Sequence, residues 1–216
     1  MASQTVENYL KTLFNLADEK GEINLSEIST TLNVSTPTAN SMVKNLANQG
    51  LVNYERYKPV SLTVKGKKAA ALVIRKHRLT EMFLVEKMGF GWEVVHEIAE
   101  QIEHINSPVL FDRMEELLGH PTADPHGSPI PDRNGKIIPQ SNRKLSDCRR
   151  GDVVKLVALT NSSEDFLLFL NSKNIALGVT LNIESVEKFD GTITVSYLKT
   201  FKEMLSAIVC ERLLVE

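Results

Sequence analysis

The sequence predicts a mainly α-helical protein with a small β domain at its C-terminal end. Apolar residues recur at helical spacing through the first 120 residues, whereas after residue 148 they form short β-prone runs. The intervening segment holds five prolines and two glycines, which predicts a linker or extended loop. These three observations divide the chain into domains at 1–64, 65–120 and 148–216, with the linker at 121–147.

The first domain has the element order of a winged helix-turn-helix. A helix over TVENYLKTLFNL ends before Gly21, and a short second helix is expected after an N-cap at Ser26. Pro37 lies in the first turn of a third helix, which Gly50 ends. Two β-prone runs around a polar tip follow and predict a hairpin, the wing of this fold.

The second domain consists of three helical patterns, at 65–88, 93–106 and 108–118. Their apolar faces are broad, but three helices are too few to enclose a large core by themselves. A second copy of the chain would cover these faces, so we expect a homodimer.

The C-terminal domain reads as short strands, GDVVKLVAL and VTLNIESVEKFDGTITVSYL, with a tight turn at Asp190-Gly191. A short helix is expected over SEDFLLFLNSKNI, and SAIVCERLLVE is expected to be a closing strand with Cys210 in the core. Strands of this number and length predict an SH3-like β-barrel.

Overall composition is that of a globular protein, with 42% hydrophobic and 24% charged residues and a net charge of −2. Cys148 and Cys210 form no C-x-x-C motif and predict a reducing compartment rather than a disulfide scaffold. We find no secretion signal and no run of 18 apolar residues, so we expect a cytoplasmic protein without a membrane partner.

Local charge is more informative than the total. From Lys44 to Arg78 there are nine basic residues and one acid, whereas from Leu79 to His120 there are nine acids and two basic residues. The first block suits a polyanion and the second suits cations.

Small and polar side chains begin the third helix, as insertion into the major groove of DNA requires. They are Ser35, Thr36, Pro37, Thr38, Asn40 and Ser41. Lys44 and the wing residues Arg56 and Lys58 can contact phosphates. Each feature alone also fits an ordinary polar helix start or a solvated lysine surface, but with the hairpin they favour DNA binding.

The stretch VVHEIAEQIEHI places four side chains with metal-binding atoms on one helical arc about 100° wide. They are His96, Glu100, Glu103 and His104. One helix earlier, His77 and Glu81 are four residues apart and share a face. The alternative is a solvated acidic face with structural histidines.

Two motifs in this order, R-K-H-R-L-x-E and H-E-x-x-E-x-x-E-H downstream of a winged helix, resemble the metal-dependent repressors of the diphtheria-toxin-repressor and manganese-transport-regulator type. The C-terminal segment RRGDVVKLVAL…ERLLVE is similar to the SH3-like domain of these proteins, akin to ferrous-transport protein A. The resemblance covers nearly the whole chain. It implies a non-enzymatic transcription regulator that binds operator DNA and controls manganese or iron homeostasis genes.

The resemblance also implies two metal sites. One comprises His77, Glu81 and His96, and the other comprises Glu100, Glu103 and His104 with a ligand from the first helix. Asn8 stands at that position, where the family usually has methionine or aspartate, and still offers a carbonyl oxygen.

The linker offers further candidate ligands. Some manganese-type relatives complete their second site with a Cys-Pro-His sequence, and Asp124 and His126 stand at the corresponding positions. Glu164 or Asp165 could add a ligand from the β domain. A plain Asp-Pro turn is the alternative for this stretch.

Glu100 favours manganese as the activating ion, because iron-responsive relatives have a cysteine there and a carboxylate prefers harder ions such as Mn²⁺. His96 instead resembles the iron-type members, so Fe²⁺ remains the alternative.

Two other function classes are alternatives to a metal-dependent DNA-binding regulator. A metallohydrolase would need an open metal position and a separate base, and a regulator could sense an organic ligand instead of a metal. We expect neither catalysis nor a small organic substrate.

Overall fold

In a computed structural model, residues 3–17, 21–138, 140–198 and 201–216 are described. They fall into two compact units. The first consists of Met1–Thr80, Ala99–His120 and Ile130–Ile138, and the second of Glu81–Ile98, Pro121–Pro129 and Pro139–Glu216. No described helix combines the length and the hydropathy needed to cross a membrane.

The first unit begins with the predicted helix-turn-helix, formed by α1 (Gln4–Leu16), α2 (Leu25–Thr31) and α3 (Thr36–Asn48). The prediction that Ser26 is the N-cap of α2 was wrong. The cap residue is Asn24, whose backbone N–H donates to the Glu27 carboxylate at 2.8 Å. This capping-box hydrogen bond satisfies the backbone N–H of Asn24, and α2 therefore begins before Ser26.

The wing is a hairpin of β1 (Val52–Asn53) and β2 (Ser61–Leu62). It packs on the helices through a shared core of fully buried side chains, which includes Leu13, Ile28, Val43, Leu46 and Val60. Gly66 allows the closest approach, because a Cβ atom there would lie 1.9 Å from the carbonyl oxygen of Leu51.

Three helices follow, α4 (Val64–Met88), α5 (Val95–Ile102) and α6 (Pro108–Leu117). The prediction for α5 was too long, since its helix ends at Ile102 and Glu103 and His104 lie in the turn that follows. Pro108 does not cause this end, since it restricts only the residue before it, and Ser107 is extended at φ −139° and ψ 90°.

Part of the predicted linker is held against helices of the first unit. Arg75 of α4 donates to the carbonyl oxygen of Pro131 at 2.9 Å and pairs with Glu115 of α6 at 2.8 Å. Arg133 contacts the same Glu115 carboxylate at 3.0 Å. The segment around residues 130–138 is therefore fixed by charge-assisted contacts.

The second unit contains an antiparallel sheet in the strand order β3-β8-β4-β5-β6-β7. The strands are β3 (Arg143–Lys144), β4 (Val153–Leu159), β5 (Thr180–Val186), β6 (Ile193–Tyr197), β7 (Phe201–Leu205) and β8 (Leu213–Val215). Within the described residues the two edge strands, β3 and β7, do not pair with each other. The predicted mainly α fold with a small β domain is confirmed, but this sheet is not closed into a barrel.

Two helices accompany the sheet, α7 (Glu164–Ser172) and α8 (Ala207–Arg212). The helix α7 was predicted, whereas α8 occupies most of a segment predicted as strand. Ser206 precedes α8, and its carbonyl oxygen accepts from the backbone N–H of Cys210 at 3.0 Å. Cys210 is buried in the core as expected, but on a helix.

Candidate metal centres and nucleic-acid interface

The Glu103 cluster is a group of polar side chains from α1, α4 and the end of α5, all in the first unit. It comprises Glu7, Lys11, His77, Glu100, Glu103 and His104, and Asn8 stands between Glu7 and Lys11 on α1. Glu103 is 0% exposed. The Lys11 ammonium lies 2.5 Å from Glu100 Oε1 and 2.9 Å from each Glu103 oxygen, and His77 Nδ1 lies 2.6 Å from Glu103 Oε2.

The environment of Glu103 favours its ionised form. Burial alone would raise the pKa of this carboxyl, but the hydrogen bond from His77 and the positive charge of Lys11 outweigh burial and lower the pKa below its ordinary value. The carboxylate is therefore available as an anionic ligand at neutral pH. Ligand atoms of His77, Glu100 and Glu103 all lie within 4.8 Å of one another.

His104 is oriented with one ring nitrogen left for a ligand. Its Nδ1 lies 2.7 Å from Glu7 Oε2, and because a carboxylate accepts, Nδ1 carries the hydrogen. In the neutral ring the other nitrogen, Nε2, then has a lone pair. Nε2 is buried and has no hydrogen-bond partner, and the same holds for Oδ1 of Asn8.

The Glu81 cluster lies in the second unit and comprises Glu81, His96, Asp124 and His126. His126 is 3% exposed, and its Nε2 donates to the carbonyl oxygen of Trp92 at 2.9 Å. Since a carbonyl only accepts, Nε2 carries the hydrogen, and in the neutral ring Nδ1 has a lone pair, 3.9 Å from Glu81 Oε2. Glu81 Oε1 lies 3.2 Å from His96 Nδ1.

Asp124 forms the Asp-Pro turn and also contributes to the Glu81 cluster. Its Oδ1 accepts from the backbone N–H groups of His126 at 2.8 Å and Ser128 at 2.9 Å. Ligand atoms of Asp124, His126 and Glu81 lie within 4.8 Å of one another. Gly127 lets this turn lie on β4, because a Cβ at Gly127 would be 2.3 Å from the carbonyl oxygen of Val157.

The predicted ligands from the β domain are not brought to this cluster. Glu164 and Asp165 are exposed in the first turn of α7, and no group of three metal-binding side chains among the described residues includes either one. The four candidate ligands predicted on one face of α5 are also divided between the two units. His96 belongs to the second unit, whereas Glu100, Glu103 and His104 belong to the first.

Two members of the Glu103 cluster, Glu7 and Lys11, were missed by the sequence analysis. They are four residues apart on α1 and therefore share a face with each other, on either side of Asn8. That spacing was a usable signal. The contacts of Glu7 with His104, 97 residues later, and of Lys11 with Glu100, 89 residues later, carried no signal because they depend on tertiary packing.

Part of the predicted DNA-contact set lines a groove between α3 and the wing, and Ser35, Thr38 and Ser41 are not in its lining. Its lining includes Thr36, Pro37, Asn40, Lys44, Arg56 and Lys58. Asn40 accepts from the Tyr54 hydroxyl at 2.7 Å, and the hydroxyl groups of Ser35 and Thr38 are 2.8 Å apart. The hydroxyl of Ser41 donates back to the carbonyl oxygen of Pro37.

The basic side chains of the wing are exposed. The Arg56 guanidinium lies 4.7 Å from the ring centroid of Tyr57, which is 88% exposed, and Lys58 pairs with Glu55 at 2.9 Å. That pair is open to solvent, which screens it, so Lys58 can exchange Glu55 for a phosphate at little cost.

Comparison with known proteins gives matches to two family models. Residues 1–60 match "Iron dependent repressor, N-terminal DNA binding domain", and residues 63–132 match "Iron dependent repressor, metal binding and dimerisation domain".

Individual relatives in sequence are also named as repressors. The chain is 37% identical over 126 residues to the iron-dependent repressor IdeR of Mycobacterium leprae, which is 58% of this chain and 55% of that protein. The match thus spans little more than half of the relative's length. This chain is also 30% identical over 190 residues to the diphtheria toxin repressor of Corynebacterium efficiens. That match covers 83% of this chain and 82% of the relative.

A solved structure described as a manganese-dependent transcriptional repressor in complex with manganese has a TM-score of 0.87 and 31% identity, and covers 97% of this chain and 98% of its own. Sequence motifs, domain matches and near full-length structural similarity agree, and the chain belongs to the iron-dependent repressor family of diphtheria-toxin-repressor type.

Proposed function

We propose that this chain is a metal-activated, DNA-binding transcriptional repressor that acts as a homodimer in the cytoplasm and catalyses no reaction. The observation that carries the proposal is the buried Nε2 of His104, which has no hydrogen-bond partner and lies 3.7 Å from Glu103 Oε1. Oδ1 of Asn8, on α1, is likewise buried and has no hydrogen-bond partner. Both atoms can donate a lone pair. The proposal places a divalent cation among them.

The donor set fits such an ion on physical grounds. A buried polar atom left without a partner costs about 1–3 kcal/mol, and a coordination bond would remove that cost. Glu7 would hold the His104 ring from outside the metal shell, as carboxylates commonly do for metal-binding histidines. A bound ion supplies charge and coordination bonds that join α1 to the turn after α5.

Manganese is the proposed physiological ion, with iron as the alternative. Glu100, Glu103 and Asn8 offer oxygen atoms, which suit Mn²⁺, and a single imidazole comes from His104. The names of the relatives include both iron- and manganese-dependent repressors. Control of manganese or iron homeostasis genes is proposed from that kinship.

The Glu81 cluster is proposed as a second metal site. Its support is the approach of Glu81, Asp124 and His126 and the lone pair on His126 Nδ1. The participation of His77 and His96 rests on the family resemblance, whereas Glu164 and Asp165 belong to no group of three metal-binding side chains among the described residues and are not proposed as ligands. A metal here would fix the turn around Asp124 to α4.

The proposed DNA contacts are the start of α3 and the wing, with Lys44, Arg56 and Lys58 on phosphates. The proposed dimer surface includes exposed apolar residues near α6, namely Ile105, Val109 and Leu117. The matching family model for metal binding and dimerisation supports this assignment. Domain limits at 1–64, 65–120, 121–147 and 148–216 are part of the proposal.

The proposed coupling runs through α1. Asn8 lies in the part of the chain that matches the DNA-binding model, whereas Glu100, Glu103 and His104 lie in the part that matches the dimerisation model. An ion shared by both parts would favour one arrangement of the DNA-binding domains. Thermodynamic linkage then requires DNA to raise the affinity for the ion by the same factor.

The experiment is selection of binding sites from random duplex DNA with purified protein and Mn²⁺ under anaerobic conditions. Fluorescence anisotropy on the selected duplex would then compare Mn²⁺, Fe²⁺ and a chelator. We expect a selected sequence that is bound at least about 5–150-fold more tightly with metal than with chelator. Equal binding in chelator, or no enriched sequence, would contradict the proposal.

A further inference from the structure

Lys11 places a positive charge among the carboxylate oxygens of the Glu103 cluster. Its Nζ atom lies 2.5 Å from Oε1 of Glu100 and 2.9 Å from each oxygen of Glu103. The Lys11 side chain is 13% exposed and the Glu103 side chain 0% exposed, so solvent ions screen this contact little. The first helix therefore brings a tethered cation to the two carboxylates that we propose as metal ligands.

The ammonium group and a divalent ion would need the same oxygen atoms. A lysine ammonium has three N–H donors, and three carboxylate oxygens lie within hydrogen-bond distance of this one. Carboxylate oxygens lie about 2.0–2.2 Å from a bound metal such as Zn²⁺. An ion at that distance from Glu100 and Glu103 would overlap or repel the ammonium, so the lysine has to leave as the ion binds.

We propose that Lys11 is an internal competitor for the metal, whose ammonium is displaced when an ion binds Glu100 and Glu103. This inference rests on the proposed metal site. Binding is then an exchange of one tethered cation for one divalent ion, and Lys11 raises the metal concentration at which the protein is activated. The same contact balances the buried charge of Glu103 and holds α1 in place before exchange.

The test is a calorimetric titration of the purified full-length protein with Mn²⁺ alone, without DNA. Lys11→Met keeps an unbranched side chain one atom shorter than lysine and removes its charge. Lys67→Met is the control, because it removes the same charge from an exposed position on α4 of the first unit. Thermal unfolding of each variant in chelator is the second measurement.

We expect Lys11→Met to bind Mn²⁺ about tenfold or more tightly than the wild type, the factor that matches removal of one competing charge-assisted hydrogen bond. Lys67→Met should stay within about threefold, as expected for an exposed charge that solvent screens. In chelator, Lys11→Met should unfold at a lower temperature than the wild type, because Glu103 becomes a buried charge with less compensation.

Unchanged or weaker Mn²⁺ binding by Lys11→Met would overturn the proposal and make Lys11 a residue that merely holds the ligands in position. Should that variant not fold, Lys11→Gln carries the same expectation, because it also removes the competing charge while keeping a polar side chain at this position. Wild-type protein that binds no Mn²⁺ would overturn both this inference and the proposed function. Metal-dependent DNA binding with equal Mn²⁺ affinity in wild type and variant would overturn this inference alone.

Discussion

Nδ1 of His104 lies 2.7 Å from a carboxylate oxygen of Glu7, across 97 positions of the chain. This contact fixes which nitrogen of the histidine carries the hydrogen and so which one can bind a metal. Glu7 is itself held by the Lys76 ammonium at 3.3 Å. The three side chains connect α1, α4 and the turn after α5.

Glu7→Gln should therefore weaken Mn²⁺ binding by about 10–100-fold, the usual cost of losing a partner that orients a metal-binding histidine. The amide can still accept a hydrogen bond, but it no longer provides a charge. Calorimetric titration of the purified protein measures the change. Glu97→Gln removes a charge from an exposed position on α5 and should leave the affinity unchanged. Equal affinities for the two variants would remove Glu7 from the account.

Glu100→Cys should change the metal response rather than abolish it. A thiolate favours later transition metals over Mn²⁺, so we expect a weaker Mn²⁺ response and a largely retained response to Fe²⁺ or Co²⁺. The measurement is anaerobic DNA binding as a function of each free metal concentration. An unaltered Mn²⁺ response would show that other ligands select the metal, with His96 the next to examine.

Alanine at both Arg56 and Lys58 should weaken DNA binding across all sequences and reduce its salt dependence. Each lost phosphate contact lowers the slope of log K against log salt by about 0.9 for duplex DNA. Anisotropy at several salt concentrations measures this slope. The control removes Arg149 and Arg150, two exposed arginines before β4 of the β domain. A slope equal to that of the control would exclude the wing from the DNA contact.

Glu115→Gln should destabilise the first unit at neutral pH by about 3 kcal/mol, as expected when a largely buried pair with an arginine is broken. Burial would raise the pKa of Glu115, but hydrogen bonds from Arg75 and Arg133 lower it below its ordinary value. A lowered folded-state pKa means that this stability is present above about pH 4.3, the unfolded value, and is lost as pH falls through the folded value.

Urea unfolding in chelator between pH 7 and pH 3 would follow that loss. The difference between Glu115→Gln and wild type should shrink towards the acid end of the series. Glu116→Gln is the control, since its pair with Arg113 is exposed and should contribute less than about 1 kcal/mol. A difference that stays constant with pH would contradict the role assigned to the Glu115 charge.

Much of the fold could be predicted from the sequence because local signals agree with tertiary packing there. Three signals act through neighbouring residues. They are Pro37 in the first turn of α3, Gly50 after its end, and the helical spacing of apolar residues along the 25 residues of α4. The helix α8 was missed for the opposite reason. Its segment is apolar and too short for periodicity to separate helix from strand.

The candidate sites were predicted in part. His77, Glu81 and the residues from His96 to His104 stand in recognisable motifs, but the ideal helix used to place them ends at Ile102. The partners that set their chemistry lie far away in sequence. The backbone carbonyl of Trp92 accepts from His126, and the ammonium of Lys11 donates to Glu103. Neither contact can be predicted from the residue type alone.

The central claim, that an ion at the Glu103 cluster controls DNA binding, is tested most directly by the affinity for the selected duplex in Mn²⁺ and in chelator, for wild type and Glu103→Gln. We predict that Mn²⁺ tightens binding by the wild type about 5–150-fold and that the variant binds equally weakly in both conditions. Circular dichroism would confirm that the variant is folded. A folded variant that responds to Mn²⁺ as the wild type does would contradict the account.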